Sequence, residues 1–130
     1  MVWEVDLVLE VQEWLDSLDS QTYDRVLAAL DLLREEGPSL GRPMVDTVKG
    51  SQFANMKELR PPAPGRLTIR VLFIFDPDRH AILLVGGDKT NDWDGWYKRN
   101  IPLAEARYIR HLKERDKNLG AKGKQDDNHA

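Results

Sequence analysis

The stretch LTIRVLFIFDPDRHAILLVGGDKT, Leu67 to Thr90, decides the fold. Two apolar runs, Leu67 to Phe75 and Ala81 to Val85, flank Asp76-Pro77-Asp78-Arg79-His80. Both runs are rich in Val, Ile, Leu and Phe and short for helices, and the joint has the chemistry of a tight turn, so the stretch reads as a β-hairpin. Neither run alternates between apolar and polar. Strands apolar on both faces lie inside a sheet, covered on each side. Arg70 interrupts the first run, and a guanidinium in a central strand must either pair or reach an open concave face.

Outward from the hairpin, the preceding segment Phe53 to Arg60 reads as a strand, with Phe53 and Leu59 on one side and Met56, Glu58 and Arg60 on the other. Pro61-Pro62-Ala63-Pro64-Gly65 ends it, because proline cannot donate to a ladder. The punctuated segment Gly37 to Ser51 reads as a loop crossing from helices to sheet. Before it, Tyr23, Val26, Leu27, Leu30 and Leu33 recur at helical spacing over Gln21 to Glu36, and Val8, Val11, Trp14, Leu15 and Leu18 do the same. Asp19-Ser20 separates these helices and can cap the second, and Gly37-Pro38 stops it. Trp3 to Leu7 alternates as a half-buried strand at an edge or second position.

After Val85 the chain is expected to turn through Gly86-Gly87. A helical segment carrying Trp93, Trp96 and Tyr97 follows, and Pro102 reopens helix through Ala106, Ile109 and Leu112 to about Arg115. The expected order is strand, helix, helix, strand, strand, strand, helix. This is an α+β fold on a small antiparallel-rich sheet, with the helices on one face and the other face partly open. Residues 1–116 read as one domain, and 117–130 as a disordered polar tail.

The 130 residues suffice for one real core, with 41% apolar and 32% charged residues. There are no cysteines, which excludes disulfides and thiolate metal sites and suits a reducing, cytoplasmic setting. The N-terminal residues lack the features of a signal peptide or membrane anchor. The net charge of −3 argues against general nucleic-acid affinity, but it conceals a dipole. Residues 1–48 hold 11 acidic and 3 basic residues, net −8, while residues 49–130 hold 11 and 16, net +5.

If the Phe53 to Arg60 strand pairs with the hairpin, Arg70 joins Glu58 and Arg60 on one face, with Lys89 and Tyr97 arriving from the next strand end and helix. One carboxylate, two guanidiniums, an ammonium and a phenol suit phosphate recognition and metal-free RNA cleavage. Arginine offsets charge on the scissile phosphate, a carboxylate takes the 2′-hydroxyl proton, and Tyr97 or Lys89 assists. Trp93 or Trp96 could stack on an unpaired base. Lys57, Trp96 and Lys98 are the candidate RNA contacts. The same residues serve equally as a cross-strand charge pair and core aromatics, with Lys98 and Arg99 on a solvated helix face. Gly86-Gly87-Asp88-Lys89-Thr90 lacks the glycine spacing of a phosphate loop. His80, His111 and His129 form no metal box, no cofactor is expected, and there is no serine–histidine–acid signature.

Several segments together resemble one family. They are Trp14-Leu15-Asp16-Ser17-Leu18, Val26-Leu27-Ala28-Ala29-Leu30, Leu40-Gly41-Arg42-Pro43, Met56-Lys57-Glu58-Leu59-Arg60, Arg70-Val71-Leu72-Phe73 and Gly86-Gly87-Asp88-Lys89, followed by Trp96-Tyr97. In that order, over about Val2 to Arg115, they resemble the phage-derived HigB branch of the RelE-like toxins. The resemblance implies a type II toxin, typically a metal-free endoribonuclease that cuts messenger RNA in the ribosomal A site. A protein antitoxin would hold it inactive, usually one with a helix-turn-helix that also represses the operon. By the same resemblance Arg70 takes the scissile-phosphate position, Glu58 and Arg60 lie in a typical Glu-Leu-Arg segment, and Lys89 and Tyr97 stand near a basic and a tyrosine position. Met56 and Glu58 replace lysines of the archetypal enzyme, and the acidic net charge departs from the basic character of ribosome-dependent members. The alternative is an inactive member that binds a helix-turn-helix regulator. A DNA-binding role ranks lowest, since no helix combines basic residues with helix-turn-helix spacing.

Overall fold

The computed structural model describes the backbone of residues 2–128 and the side chains of residues 2–119. In chain order it contains β1 (Glu4–Leu7), α1 (Leu9–Asp16), α2 (Ser20–Glu36), a 3-10 turn (Gly37–Ser39), β2 (Val45–Thr47), β3 (Lys57–Leu59), β4 (Ile69–Phe75), β5 (His80–Asp88) and α3 (Trp93–Asn128). The five strands form one sheet in the order β1-β5-β4-β3-β2. The three pairs from β2 to β5 are antiparallel, and β1 joins β5 in parallel after the helical crossover. The α+β, antiparallel-rich architecture is therefore as read, with one strand more.

The hairpin forms because Asp76 organises its turn. Asp76 Oδ1 accepts from the backbone N–H of Asp78 (2.9 Å) and of His80 (3.0 Å), and Arg79 adopts a left-handed φ of 68°. Helix α2 starts at Asp19, whose carboxylate accepts from Thr22 N–H at 2.7 Å. It stops at Gly37, whose φ of 57° and whose contact with the Trp3 ring leave no room for a β-carbon.

Burial on both faces of β4 needs cover on both sides, and the helices supply it. Val11, Leu15, Val26, Ala29, Leu30 and Leu33 of α1 and α2 pack on Val71 and Phe73. Trp96, Ile101, Ala104 and Tyr108 of α3 pack on Leu72, Ile74, Ile82 and Leu84 of the other face. The expectation of helices on one face is corrected: the last helix covers the second face, which the two-sided apolar character of the hairpin already required.

A β-bulge lies in this sheet. Leu72 pairs with Val85 but Phe73 pairs with Leu83, so Leu84 is the extra residue of β5 and both Leu84 and Val85 enter the α3-side core. The bulge sets Gly86 opposite Val71 and Gly87 opposite Arg70. These glycines do not form the expected turn. They are strand residues over which large rings lie: a β-carbon on Gly86 would come within 2.2 Å of Trp14, and one on Gly87 within 2.7 Å of Trp96 Nε1.

Three further boundaries differ. Val45–Thr47, expected as loop, is the edge strand β2, held because Val45 pairs with Leu59 and is buried. The Phe53 to Arg60 strand contracts to three residues, leaving Arg60 just past the ladder. Helix α3 is continuous through Pro102 and passes Arg115. Pro102 and Lys98, whose carbonyl loses its helical donor, are both exposed to water, so the break costs little. Most of the expected tail over 117–130 lies outside the residues whose side chains are described. Among the described residues, no helix is long and apolar enough to cross a membrane.

Candidate functional site

The start of β4, the ends of β3 and β5 and the first turn of α3 meet at one end of the sheet. Strand parity puts Glu58, Leu72 and, two residues back along β4, Arg70 on the α3 side. The tight Lys89-to-Trp93 connection, in which Asp92 N–H donates to the Lys89 carbonyl at 3.0 Å, swings Lys89 under the helix start. One turn into α3, Tyr97 reaches back towards the sheet. Arg70, Glu58, Arg60, Lys89 and Tyr97 are thus brought together.

Their contacts form a chain. Lys89 Nζ donates to the Tyr97 hydroxyl oxygen at 2.9 Å, and the Tyr97 hydroxyl donates to Glu58 Oε2 at 2.6 Å. Arg60 donates to Glu58 Oε1 through Nε at 3.0 Å and Nη2 at 2.8 Å. Arg60 Nη2 also reaches Asp46 at 3.2 Å, and Asp46 is paired with exposed Arg42. Glu58 is 4% exposed and both of its oxygens are engaged. A proton can therefore reach it through Tyr97, whose hydroxyl is held on Oε2.

Arg70 stands apart from these ion pairs. Its Nη1 donates to the Ile69 carbonyl at 2.8 Å, while its Nε is buried with no hydrogen-bond partner. Among the described residues, no carboxylate lies in ion-pair range of it, in contrast to Arg60. A guanidinium with no carboxylate in ion-pair range is available to an anion.

The environment separates the proton affinities. Burial and hydrogen bonding to Glu58 push the Tyr97 hydroxyl up to about 12, with Arg70 opposing the rise, so Tyr97 keeps its proton as a donor to Glu58. Burial, reinforced by the charge of Arg70, lowers the Lys89 ammonium below its ordinary value of 10.5, which makes it a stronger acid. Lys89 is only 3% exposed, and its Nζ lies 3.7 Å from the centre of the Trp93 ring. Two open hollows of about 250 and 420 Å³ meet at Tyr97, one lined by Thr47, Val48, Lys49 and Glu58, the other carrying Lys49 and Lys98.

The remaining RNA-contact candidates separate. Lys57 pairs with Phe73 and shares the α1/α2 face of the sheet, away from the cluster. Trp96 is buried across Gly87, while Trp93 is 56% exposed. Lys98 is exposed beside the larger hollow. Asp46 escaped the sequence reading because it sits on β2, whose three residues carry no local signal. The buried position of Trp96 depends on Gly87, whose missing β-carbon leaves room for the ring. Two of the three histidines serve elsewhere: His80 Nδ1 lies 2.7 Å from Asp6 and His111 Nε2 lies 2.8 Å from Asp76, while His129 lies outside the described residues.

Residues 13–109 match the family described as phage derived protein Gp49-like. The chain is 49% identical over 110 residues to a Mycobacterium tuberculosis protein named as toxin HigB2, covering 85% of this chain and 54% of that protein. It is 52% identical over 103 residues to another from the same organism, named as toxin HigB3, covering 79% of this chain and 88% of that protein. The chain thus spans about half the length of the first relative and most of the second. Its fold is similar to that of a mutant of the E. coli toxin RelE in the free state, with a TM-score of 0.58 at 11% identity over 78% of this chain and 97% of that one. The archaeal RelE-RelB complex from Pyrococcus horikoshii OT3 holds a chain matching with a TM-score of 0.50 at 22% identity, over 68% of this chain and 97% of that one.

Proposed function

We propose a function from one premise: the chain belongs to the phage-derived Gp49-like family and is a RelE-like HigB toxin of a toxin–antitoxin system. Its activity is that of an endoribonuclease that cleaves messenger RNA on the ribosome and so inhibits translation. The observation that carries this reading is Arg70, a guanidinium with no carboxylate in ion-pair range among the described residues, beside the Lys89–Tyr97–Glu58 chain.

In the proposed step, Arg70 holds the scissile phosphate and offsets the charge that builds on it. The ribose 2′-oxygen attacks phosphorus. Its proton passes to the Tyr97 oxygen as the Tyr97 proton moves to Glu58, across the existing 2.6 Å bond. The bond from phosphorus to the 5′-oxygen breaks, and the Lys89 ammonium protonates that oxygen. The products are a 2′,3′-cyclic phosphate and a free 5′-hydroxyl, and solvent resets Lys89 and Glu58. Arg60 anchors Glu58 and adds positive potential; it holds no phosphate directly in this scheme, since its Nε and Nη2 are engaged by Glu58 and Asp46. Every proton-transfer role falls to a side chain.

The partner is a protein antitoxin, a proposal supported by the structural neighbour that is itself in complex with RelB. A helix-turn-helix antitoxin and a cytoplasmic site of action follow from the same reading.

Induced expression of the wild-type chain is expected to arrest growth and to generate new 5′-hydroxyl ends in messenger RNA. Arg70→Ala, with an unchanged melting temperature, abolishes both. A folded Arg70→Ala that cuts as well as wild type overturns the assignment. A wild-type chain that binds its antitoxin but leaves messenger RNA intact establishes instead the inactive, regulator-binding role.

A further inference from the structure

Trp93 is the first residue of α3, is 56% exposed, and rests on the Lys89 ammonium at 3.7 Å. A large ring spread over the one cation that the mechanism uses as an acid, and still mostly open to water, has more surface than Lys89 can cover. Trp96, one helical turn on, buries its ring against Gly87 instead. The two tryptophans divide the work of packing and display, and Trp93 is the displayed one.

We propose that Trp93 is a stacking platform for one unpaired nucleobase next to the scissile phosphate, and hence a determinant of which bases flank the cut. The inference rests on the nuclease reading given above and adds its specificity. A phosphate on Arg70 and a leaving oxygen at Lys89 put the adjoining nucleotide against the ring that covers Lys89. An indole accepts any base, and it favours purines because their larger π-surface overlaps it better. The Lys89 charge beneath the ring attracts its electron-rich face and holds it in place for the incoming base.

Messenger RNA 5′ ends are mapped in cells expressing the full-length wild-type chain, Trp93→Phe, Trp93→Leu or Arg70→Ala, with melting temperatures confirming that each folds. Wild type is expected to show purine enrichment at one position flanking the cut. Trp93→Phe retains it, while Trp93→Leu loses it and cuts about tenfold less, the size of a single base–aromatic stack. Trp93→Leu with an unchanged base preference overturns the platform even if its rate falls, because loss of cover over Lys89 slows every site alike. A wild type that cuts without any flanking preference also overturns it while leaving the nuclease reading intact. A wild type that does not cut removes both.

Discussion

Tyr97 donates its hydroxyl hydrogen to Glu58 Oε2 across 2.6 Å, and among the described residues this hydrogen bond alone connects helix α3 to the buried carboxylate of β3. Tyr97→Phe preserves the ring that packs edge-on against Trp96 and deletes the connection. Glu58 Oε2 is then buried without a donor, a loss of about 1–3 kcal/mol in stability. RNA cleavage is expected to fall at least about 100-fold, the usual worth of a positioned proton-transfer group. Calorimetry and 5′-end mapping on the same variant separate the two effects. Cleavage at the wild-type rate shows that no proton crosses this bond.

Lys89 sets function against stability. Its ammonium is almost wholly buried and its acidity is raised by burial and by Arg70. The sign follows from linkage: the folded state binds this proton less tightly than the unfolded state does. Between the lowered folded value and 10.5, therefore, stability rises with pH, and below that window the charge works against folding. Lys89→Met fills the same space without charge. It is expected to melt no lower than wild type and to lose the alkaline rise in stability, while cleavage is abolished. In the wild type, cleavage should decline as pH rises through the lowered Lys89 value, because only the ammonium can protonate the leaving oxygen. A clear drop in melting temperature for Lys89→Met sinks this account.

Far from the site, Glu10 ties α1 to α3. Arg110 donates to it through both terminal nitrogens, at 2.9 and 2.7 Å, and Arg107 lies 3.4 Å away. These bonds, led by the hydrogen bonds of Arg110, pull the Glu10 carboxyl down to about 2 from its ordinary 4.5. A depressed carboxyl stabilises the fold above its unfolded value, and that contribution is lost as pH falls from 4.5 towards 2. The side chain is 32% exposed, so solvent screening reduces the effect to about 1 kcal/mol. Glu10→Gln should melt slightly lower than wild type at pH 7 and at the same temperature near pH 2. Equal melting at pH 7 means that the pair contributes nothing.

What the sequence discloses here follows the range of the forces involved. The hairpin is legible because each strand carries its own apolar run and Asp76 carries its own turn. The face shared by Glu58 and Arg70 is legible because side chains alternate along a strand whatever lies around it. β2 is hidden because three residues are held by distant Leu59 rather than by any pattern of their own. The choice between Trp93 and Trp96 is hidden for a related reason. Tyr97, Ile101, Ala104 and Tyr108 mark a helical stripe that Trp93 would continue, yet the space above Gly87 draws Trp96 inward. Engagement of Arg60 by Asp46 as well as by Glu58 likewise depends on a strand that the local pattern does not reveal.

The adjacent glycines of β5 allow packing and chemistry to be tested one residue apart. Gly86 faces α1, where an added methyl would meet the Trp14 ring at 2.2 to 2.6 Å. Gly87 faces α3 and lies opposite Arg70, with Trp96 Nε1 2.7 Å from the added methyl. Overpacking of this kind costs about 1–3 kcal/mol. Gly86→Ala should therefore lower the melting temperature and leave the cleavage rate of the folded fraction within a factor of two or three, in the order of what a remote packing change does. Gly87→Ala has the harsher functional outcome. It displaces Trp96, and with it the first turn of α3 that carries Trp93 and Tyr97, so the Tyr97–Glu58 bond lengthens. A 1 Å misplacement of such groups costs about 100-fold in rate. Cleavage by the folded fraction, measured beside thermal melting, should thus fall much further for Gly87→Ala than for Gly86→Ala at similar loss of stability. Equal rates for the two would mean that the start of α3 does not set the geometry of the site.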